Sequence, residues 1–237
     1  MDQIQDDWMS DKKSHILDQI PLELPLGEIR RQLHLKKDHR WDEVKDLIQT
    51  ALPDIQAKAV FRVCYIDEKQ DDNIVIDGVC FKSRVLAKNL ATVERVFPFV
   101  ITIGSHYLAQ ADAQGDLVVK YYLDVIGNVA VSAARRFLEK SLQKKYGLEG
   151  MSFMSPGSLE DWPLEEQRPL FALFGDGQTP IGVSLNSSCL MIPAKSESGI
   201  YFPTEVPFVS CQLCDRKDCP GRKAAYDVKI KAEFGVS

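Results

Sequence analysis

Three cysteines near the end of the chain have the spacing of a metal-binding segment. Cys211, Cys214 and Cys219 form a C-x2-C-x4-C pattern within the sequence FVSCQLCDRKDCPGRK. Thiolates this close in sequence can turn toward one metal centre. Basic residues at positions 216, 217, 222 and 223 surround them, and cationic neighbours favour the thiolate form that a metal needs. The pattern predicts an iron–sulfur centre in preference to zinc, and unligated thiols are the remaining interpretation.

This segment leaves one ligand position of such a centre open. Cys189, in the sequence NSSCLMIP, is the candidate if its strand passes nearby. Otherwise water, an exogenous ligand or another side chain must complete the site. Six cysteines in a chain of 237 residues do not indicate a disulfide framework in a cytosolic protein, because thiols there are kept reduced.

The composition indicates a soluble, cytoplasmic protein. A net charge of -5 provides no cationic field for nucleic acid or anionic lipid. The N-terminal sequence MDQIQDDWMSDKK lacks the basic start and apolar run of a secretory signal. We find no uninterrupted apolar stretch of the roughly 18 residues that a membrane helix needs. We therefore expect neither nucleic acid nor a membrane as a partner.

The elements that must position these groups indicate one α+β domain. The runs AVFRVCYI and IVIDGVCF predict a β-hairpin, and apolar spacing predicts a long helix between a cap at Asp116 and a stop at Gly147. Beyond Gly150, short pieces including YDVKIKAEF indicate strands. We expect a polar leader at residues 1–13 and a single domain at 14–237, with a cysteine-rich metal-binding segment at 208–223.

Three segments resemble, in their order and separation, the reactivation domain of cobalamin-dependent methionine synthase and its free-standing relatives. They are VITIG with the helix KYYLDVIGNVAVSAARRFLE, then SPGSLEDWPLEEQRPLF, then GVSLNSSCLMIPAKSESGIYF, and they span roughly residues 60 to 205. Each motif alone is weak, but three in family order are fairly specific. The resemblance implies a C-shaped, twisted antiparallel sheet flanked by helices, in agreement with the α+β pattern.

The resemblance also implies a ligand and a partner. In that family the domain binds S-adenosylmethionine and presses it against the corrin ring of a partner module. After cobalt(I) is oxidised to cobalt(II), one electron and the sulfonium methyl restore methylcobalamin. The two cofactors carry the reactive atoms, so the domain mainly supplies orientation and no catalytic side chain is implied.

The resemblance assigns the ligand to a loop and a strand. It implies that Ser155, Pro156, Gly157 and Ser158 offer backbone groups to the ligand, and that Tyr201 lies beside it. The alternative is that SPGS is an ordinary tight turn and that the tyrosine is a core aromatic on a strand.

Two positions depart from the family pattern. Phe153 stands where the family has an arginine for the ligand carboxylate, and Ser132 stands where its long helix has a glutamate. Losing these charged contacts favours a non-enzymatic accessory module that docks on a corrinoid protein and uses an iron–sulfur or zinc centre for electron delivery or structure. The retained loop and strand favour an S-adenosylmethionine-dependent component that reactivates a corrinoid protein, a corrinoid methyltransferase or methionine synthase, which is our first expectation.

Overall fold

A computed structural model describes residues 13–35, 38–175, 177–219 and 221–235, without the side chains of residues 38 and 39. The expected polar leader lies outside the described residues except for Lys13. The helices and strands, in chain order, are β1 (His15–Leu17), α1 (Leu26–Gln32), α2 (Asp38–Ala51), β2 (Lys58–Phe61), β3 (Cys64–Lys69), β4 (Asn73–Ile76), β5 (Val79–Lys82), α3 (Arg84–Asn89), β6 (Arg95–Thr102), α4 (Ser105–Asp112), α5 (Leu117–Tyr146), β7 (Met151–Met154), α6 (Gln167–Ala172), β8 (Ser184–Leu185), β9 (Met191–Ile192), β10 (Ser196–Pro203) and α7 (Val228–Phe234).

A curled antiparallel sheet, eight-stranded within the described residues, organises the fold. Strand β6 lies in its middle: β2 and β3 pair along one edge of β6, and β10 pairs along the other. Strand β7 pairs with β10, while β8 and β9 form a separate small hairpin. The expected α+β class, with an antiparallel sheet and flanking helices, is confirmed.

The long helix α5 covers one face of this sheet. Its start is capped by the carboxylate of Asp116, which accepts the N–H of Val118 at 2.7 Å, and its end is followed by Gly147 in the left-handed conformation, as expected. By length and composition α5 is also apolar enough to cross a membrane, although Lys120 and Asp124 interrupt its apolar residues, and half of the relevant window is buried in the fold. The burial is that of a core helix.

The alternation of side chains along β6 produces two apolar clusters that share the sheet. Phe97, Phe99 and Ile101 point to the α5 side. Val96 and Val100 point to the opposite side. On that opposite side the cluster also contains the residues Met154, Trp162, Phe202, Phe208 and Leu213. Phe208 and Leu213, in the segment that follows β10, therefore pack on the face of the sheet away from α5.

The region expected to be one hairpin contains four strands. Strand β2 ends at Phe61 and β3 begins at Cys64. The turn between β4 and β5 consists of Asp77 and Gly78, with φ angles of 47° and 78°. Two positive φ angles on Asp-Gly are typical of a type I′ hairpin turn. This dipeptide was the available sequence signal for the second hairpin.

The expected C-terminal strand YDVKIKAEF is wrong, because this segment forms α7. Asp227 caps the helix by accepting the N–H groups of Lys229 at 2.9 Å and Ile230 at 3.2 Å, and Gly235 follows its end in the left-handed conformation. An aspartate just before the helix and a glycine just after it are the usual helix start and stop signals. The apolar residues at alternate positions obscured them.

Candidate functional site

The SPGS loop follows β7 directly and is closed by its own hydrogen bonds. The N–H of Gly157, at a φ of 81°, donates to the carbonyl of Trp162 at 2.7 Å. The N–H of Ser158 donates to the carbonyl of Ser155 at 3.1 Å, and its hydroxyl donates to the same oxygen at 2.6 Å. The N–H groups of Gly157 and Ser158 are therefore engaged in hydrogen bonds within the loop itself.

The loop also contains polar atoms that lack a partner among the described residues. These buried atoms are the Ser155 hydroxyl and the indole N–H of Trp162. On the neighbouring strand, a Cβ at Gly199 would lie 2.3 Å from the Met154 carbonyl and 2.9 Å from the Ser155 hydroxyl, so only glycine fits there. Buried polar groups are normally hydrogen-bonded. The Ser155 hydroxyl and the Trp162 indole N–H are exceptions to this rule, and neither residue lines the cleft described next.

A cleft of about 290 Å³ lies between this loop and the cysteine segment. One wall consists of Gly157–Asp161 and the other of Leu213–Arg216, and Val85 and Lys231 complete the lining. Small-molecule sites typically have volumes of about 300 to 1,000 Å³. The cleft is just below that range, so it can hold one part of a small-molecule ligand.

One wall of this cleft is held in place by a carboxylate. Asp161 accepts the hydroxyl of Ser83 at 2.5 Å and the N–H of Val85 at 3.0 Å, at the start of α3. The loop wall is therefore tied to the sheet's flanking helix rather than free to move alone. Because this carboxylate is engaged at the helix start, we assign it a structural role.

Phe153 lies on the other face of the sheet, in a cluster of aromatic and charged groups. Its ring centroid is 4.3 Å from the guanidinium carbon of Arg135 and 5.7 Å from the ammonium of Lys223. The ring of Tyr201 is 5.4 Å away. Cations over aromatic faces are attracted electrostatically. Two cations from α5 and the cysteine segment therefore flank the position at which the family has an arginine.

Arg135 is the centre of a buried charge network. It is 5% exposed, and its guanidinium lies 3.2 Å from the carboxylate of Glu139 and 3.4 Å from that of Glu197. Burial raises the pKa of Glu197, although Arg135 opposes that shift. Burial also raises the pKa of the Tyr201 hydroxyl. These groups neutralise one another inside the fold and do not form an acid/base pair at the cleft.

Tyr201 is a core residue in this structure. It is fully buried, its ring lies 4.6 Å from that of Phe99, and its hydroxyl donates to the main-chain carbonyl of Arg135 at 3.2 Å. Strand alternation on β10 directs this side chain toward α5, so it does not line the cleft that Gly157 lines. Of the residues expected to bind the ligand, Gly157 and Ser158 line this cleft, whereas Ser155, Pro156 and Tyr201 do not.

The cysteines are all free thiols. Cys211, Cys214 and Cys219 are half-buried, whereas Cys189 is buried in the turn between β8 and β9, with a φ of 61°. Among the described residues, no three His, Cys, Asp or Glu side chains are grouped as a metal ion requires. The arrangement therefore does not fit the expected iron–sulfur or zinc centre, and we derive no chemical step from one.

A wider groove of about 1110 Å³ lies between the loop after α5 and the segment after β10. Its lining includes the ranges Gly147–Gly150 and Pro203–Pro207. None of the residues predicted to bind a ligand or a metal lines it. We therefore place the candidate ligand site at the smaller cleft, where the predicted loop and the cysteine segment meet.

Sequence reasoning missed the charge network, although one signal was present. Arg135 lies on the apolar stripe of α5, four residues after Val131 and three before Leu138, both buried. A charged residue on a buried stripe requires charged or polar partners. Its partner Glu197 occupies the same inward-facing register of β10 as Gly199 and Tyr201, which the alternation of the strand also indicates.

Comparisons with protein-family models and with curated proteins find no match. Among solved structures, a crystal structure of the MetH reactivation domain bound to AdoHcy matches with a TM-score of 0.62 and 14% sequence identity. The match covers 84% of this chain and 81% of that chain. It includes the curled antiparallel sheet and the flanking helices. The chain therefore has the fold of the methionine synthase reactivation domain.

Proposed function

We propose that this chain is a cytoplasmic reactivation component for a corrinoid protein or a cobalamin-dependent methyltransferase, and that it binds S-adenosylmethionine at the cleft beside the SPGS loop. One observation carries the proposal: Gly157 and Ser158 line a cleft in a fold whose solved relative is bound to AdoHcy. S-adenosylmethionine would supply the methyl group, and the partner would supply the corrin.

The contribution of this chain is to bind and orient. The left-handed conformation of Gly157 keeps the loop close to its neighbours, since a Cβ there would lie 3.1 Å from the side chain of Leu164. The opposite wall brings the charged residues Asp215 and Arg216 to the cleft. An adenosyl amino acid carries both a carboxylate and an ammonium group, so walls with both signs of charge suit it.

Calorimetry with S-adenosylmethionine and S-adenosylhomocysteine tests this site. We expect Gly157→Ala to weaken binding about tenfold, because alanine strains the left-handed backbone and its Cβ presses on Leu164, which displaces the loop wall of the cleft. Gly78→Ala is the matched control: its φ is 78°, nothing lies within 4 Å of an added Cβ, and it lies in the β4–β5 turn. Absence of binding at millimolar ligand, or equal weakening by both variants, would overturn the proposed site.

A second candidate is the accessory module that docks on a corrinoid protein without using S-adenosylmethionine. The packing around Phe153 favours it, because Arg135 is directed to the protein's own carboxylates. A charge that is already paired is less available to a ligand carboxylate. Methylcobalamin is the probe that separates the candidates: an accessory module would alter its optical spectrum on binding while calorimetry with S-adenosylmethionine shows no heat.

A further inference from the structure

The cysteine segment, residues 208–223, is folded around an arginine. The guanidinium of Arg222 donates to the main-chain carbonyls of Cys211 at 3.0 Å, Cys214 at 3.0 Å and Ala224 at 3.1 Å, and also to that of Arg216. These acceptors come from successive turns of one stretch of chain. A single cation thus holds three carbonyl oxygens between positions 211 and 216 and a fourth from the residue that follows the segment.

Among the described residues, these hydrogen bonds satisfy the cation without a side-chain partner. A guanidinium has five N–H donors in a fixed planar fork, and carbonyl oxygens have two lone pairs each. Arg222 is half-buried, so its charge needs acceptors in place of the water that it loses. Hydrogen bonds that involve a charged group are among the stronger ones in proteins. The four carbonyl groups therefore both stabilise the cation and fix the path of the chain.

Further contacts of the segment use main-chain N–H groups and the apolar side chain of Leu213. The N–H of Lys223 donates to the sulfur of Cys211 at 3.4 Å, and the N–H of Asp227 donates to the carbonyl of Gln212 at 2.9 Å. Leu213 anchors the segment in the apolar cluster opposite α5, where it is 3% exposed. None of these contacts requires a thiolate or a metal ion.

The same segment forms one wall of the candidate cleft. Two of the carbonyl groups that Arg222 holds belong to Cys214 and Arg216, and both residues line the cleft. The position of that wall relative to Gly157 therefore depends on the guanidinium. A ligand between the two walls would therefore contact a wall whose position depends on the hydrogen bonds of Arg222.

We propose that Arg222, in place of a metal ion, folds the cysteine segment and acts as the positioning residue for that wall of the cleft. The segment is folded when its thiols are reduced and free of metal. The folding role stands independently of the proposed function, and only the consequence for ligand affinity rests on it.

Hydrogen exchange read by mass spectrometry over residues 208–227 tests the folding role. Treatment of the wild-type protein with a chelator leaves exchange unchanged, and so does simultaneous replacement of Cys211, Cys214 and Cys219 by serine. Arg222→Gln accelerates exchange about tenfold or more, because it removes charge-assisted hydrogen bonds. Arg222→Lys, which keeps the charge and loses the planar fork, accelerates it as well. Lys217→Gln is the matched control for removal of one positive charge from the segment and leaves exchange unchanged.

Two outcomes would overturn the proposal. One is that the chelator, or the triple serine variant, exposes the segment as much as Arg222→Gln does, which would show that ligated thiols fold it. The other is that both Arg222 variants exchange like the wild-type protein. Exchange in α5 and β6 reports global folding, and if Arg222→Gln fails to fold, Arg222→Lys decides the result.

Ligand affinity provides the readout that a purely structural role would not change. Calorimetry with S-adenosylhomocysteine shows about tenfold weaker binding for Arg222→Gln, unchanged binding after chelation and unchanged binding for Lys217→Gln. If the wild-type protein does not bind this ligand at all, the proposed function fails, while hydrogen exchange still decides whether Arg222 folds the segment. Affinity that is equal in Arg222→Gln and wild-type protein would remove the positioning role.

Discussion

Two arginines hold neighbouring regions of this molecule through different kinds of partner. Arg135 on α5 is surrounded by side chains, with Glu139 at 3.2 Å and Glu197 at 3.4 Å. Arg222 in the cysteine segment is surrounded by main-chain carbonyl groups. The first arrangement depends on the identity and protonation of its partners. The second depends on main-chain carbonyl groups, which every residue carries, and so does not depend on the identity of the side chains at those acceptor positions.

The largest expected loss of stability follows from removing the cation of the first arrangement. Arg135→Met leaves the two carboxylates without their buried cation, and removal of one partner from a buried ion pair costs about 3 to 5 kcal/mol. Arg136→Met is the control, because that side chain is 40% exposed and has an ion pair to Glu28 at 3.5 Å. Such a pair contributes less than about 1 kcal/mol. Urea unfolding of both variants measures the difference, and equal losses would show that Arg135 is not the centre of a network.

A smaller effect tests whether the second arrangement stands apart from the helix that follows it. Asp227→Ala removes the cap of α7 and costs about 1 kcal/mol of local stability. We expect faster hydrogen exchange in α7 and unchanged exchange at Cys211–Arg216. Asp116→Ala removes the equivalent cap of α5. We expect this change to lower the free energy of global unfolding, because α5 belongs to the core. If Asp227→Ala accelerates hydrogen exchange throughout the cysteine segment as well, α7 and that segment unfold as one unit and the expectation is wrong.

The smallest expected effect is a pH dependence of stability. We expect it for the side-chain network of Arg135 and not for the main-chain contacts of Arg222. The pKa of Glu197 is raised above its ordinary value of 4.5, because burial disfavours the carboxylate more than Arg135 favours it. A raised carboxyl pKa contributes stability that is fully present below the ordinary value and is lost as pH rises through the folded one. Glu197→Gln should therefore match the wild-type protein near pH 4 and be more stable at pH 8.

Urea unfolding of Glu197→Gln and wild-type protein across this pH range provides the measurement. A gap that narrows as pH rises would contradict the direction of the shift. Hydrogen exchange of residues 211–216 should show no corresponding pH-dependent change beyond the intrinsic rate, since carbonyl groups do not titrate.

The sequence predicted the elements that depend on local signals. Asp116 and Gly147 delimit α5 as expected, because an aspartate cap and a left-handed glycine act within a single turn. The fold class also follows from the order of patterns. The strand prediction for YDVKIKAEF was wrong, because a short run of alternating apolar residues fits a strand as well as one face of a short helix.

The candidate site was predicted less completely, because its parts meet only through the tertiary fold. Motif order identified the loop at Gly157, and the structure places it at a cleft. The inward register of Tyr201 and the partners of Arg135 depend on which helix covers which face of the sheet. Cysteine spacing suggested a metal. The hydrogen bonds of Arg222 could not be predicted from the sequence, because their acceptors are main-chain carbonyl groups, which every residue carries.

That property of the Arg222 contacts makes the cysteine segment suitable for protein engineering. A fluorescent or spin label on Cys214 would report directly on the cleft that this residue lines. The hydrogen bond that holds Cys214 in place is made by its carbonyl oxygen, which a label on sulfur leaves intact. The segment can thus carry reporters of ligand binding next to the ligand while its backbone keeps the native path.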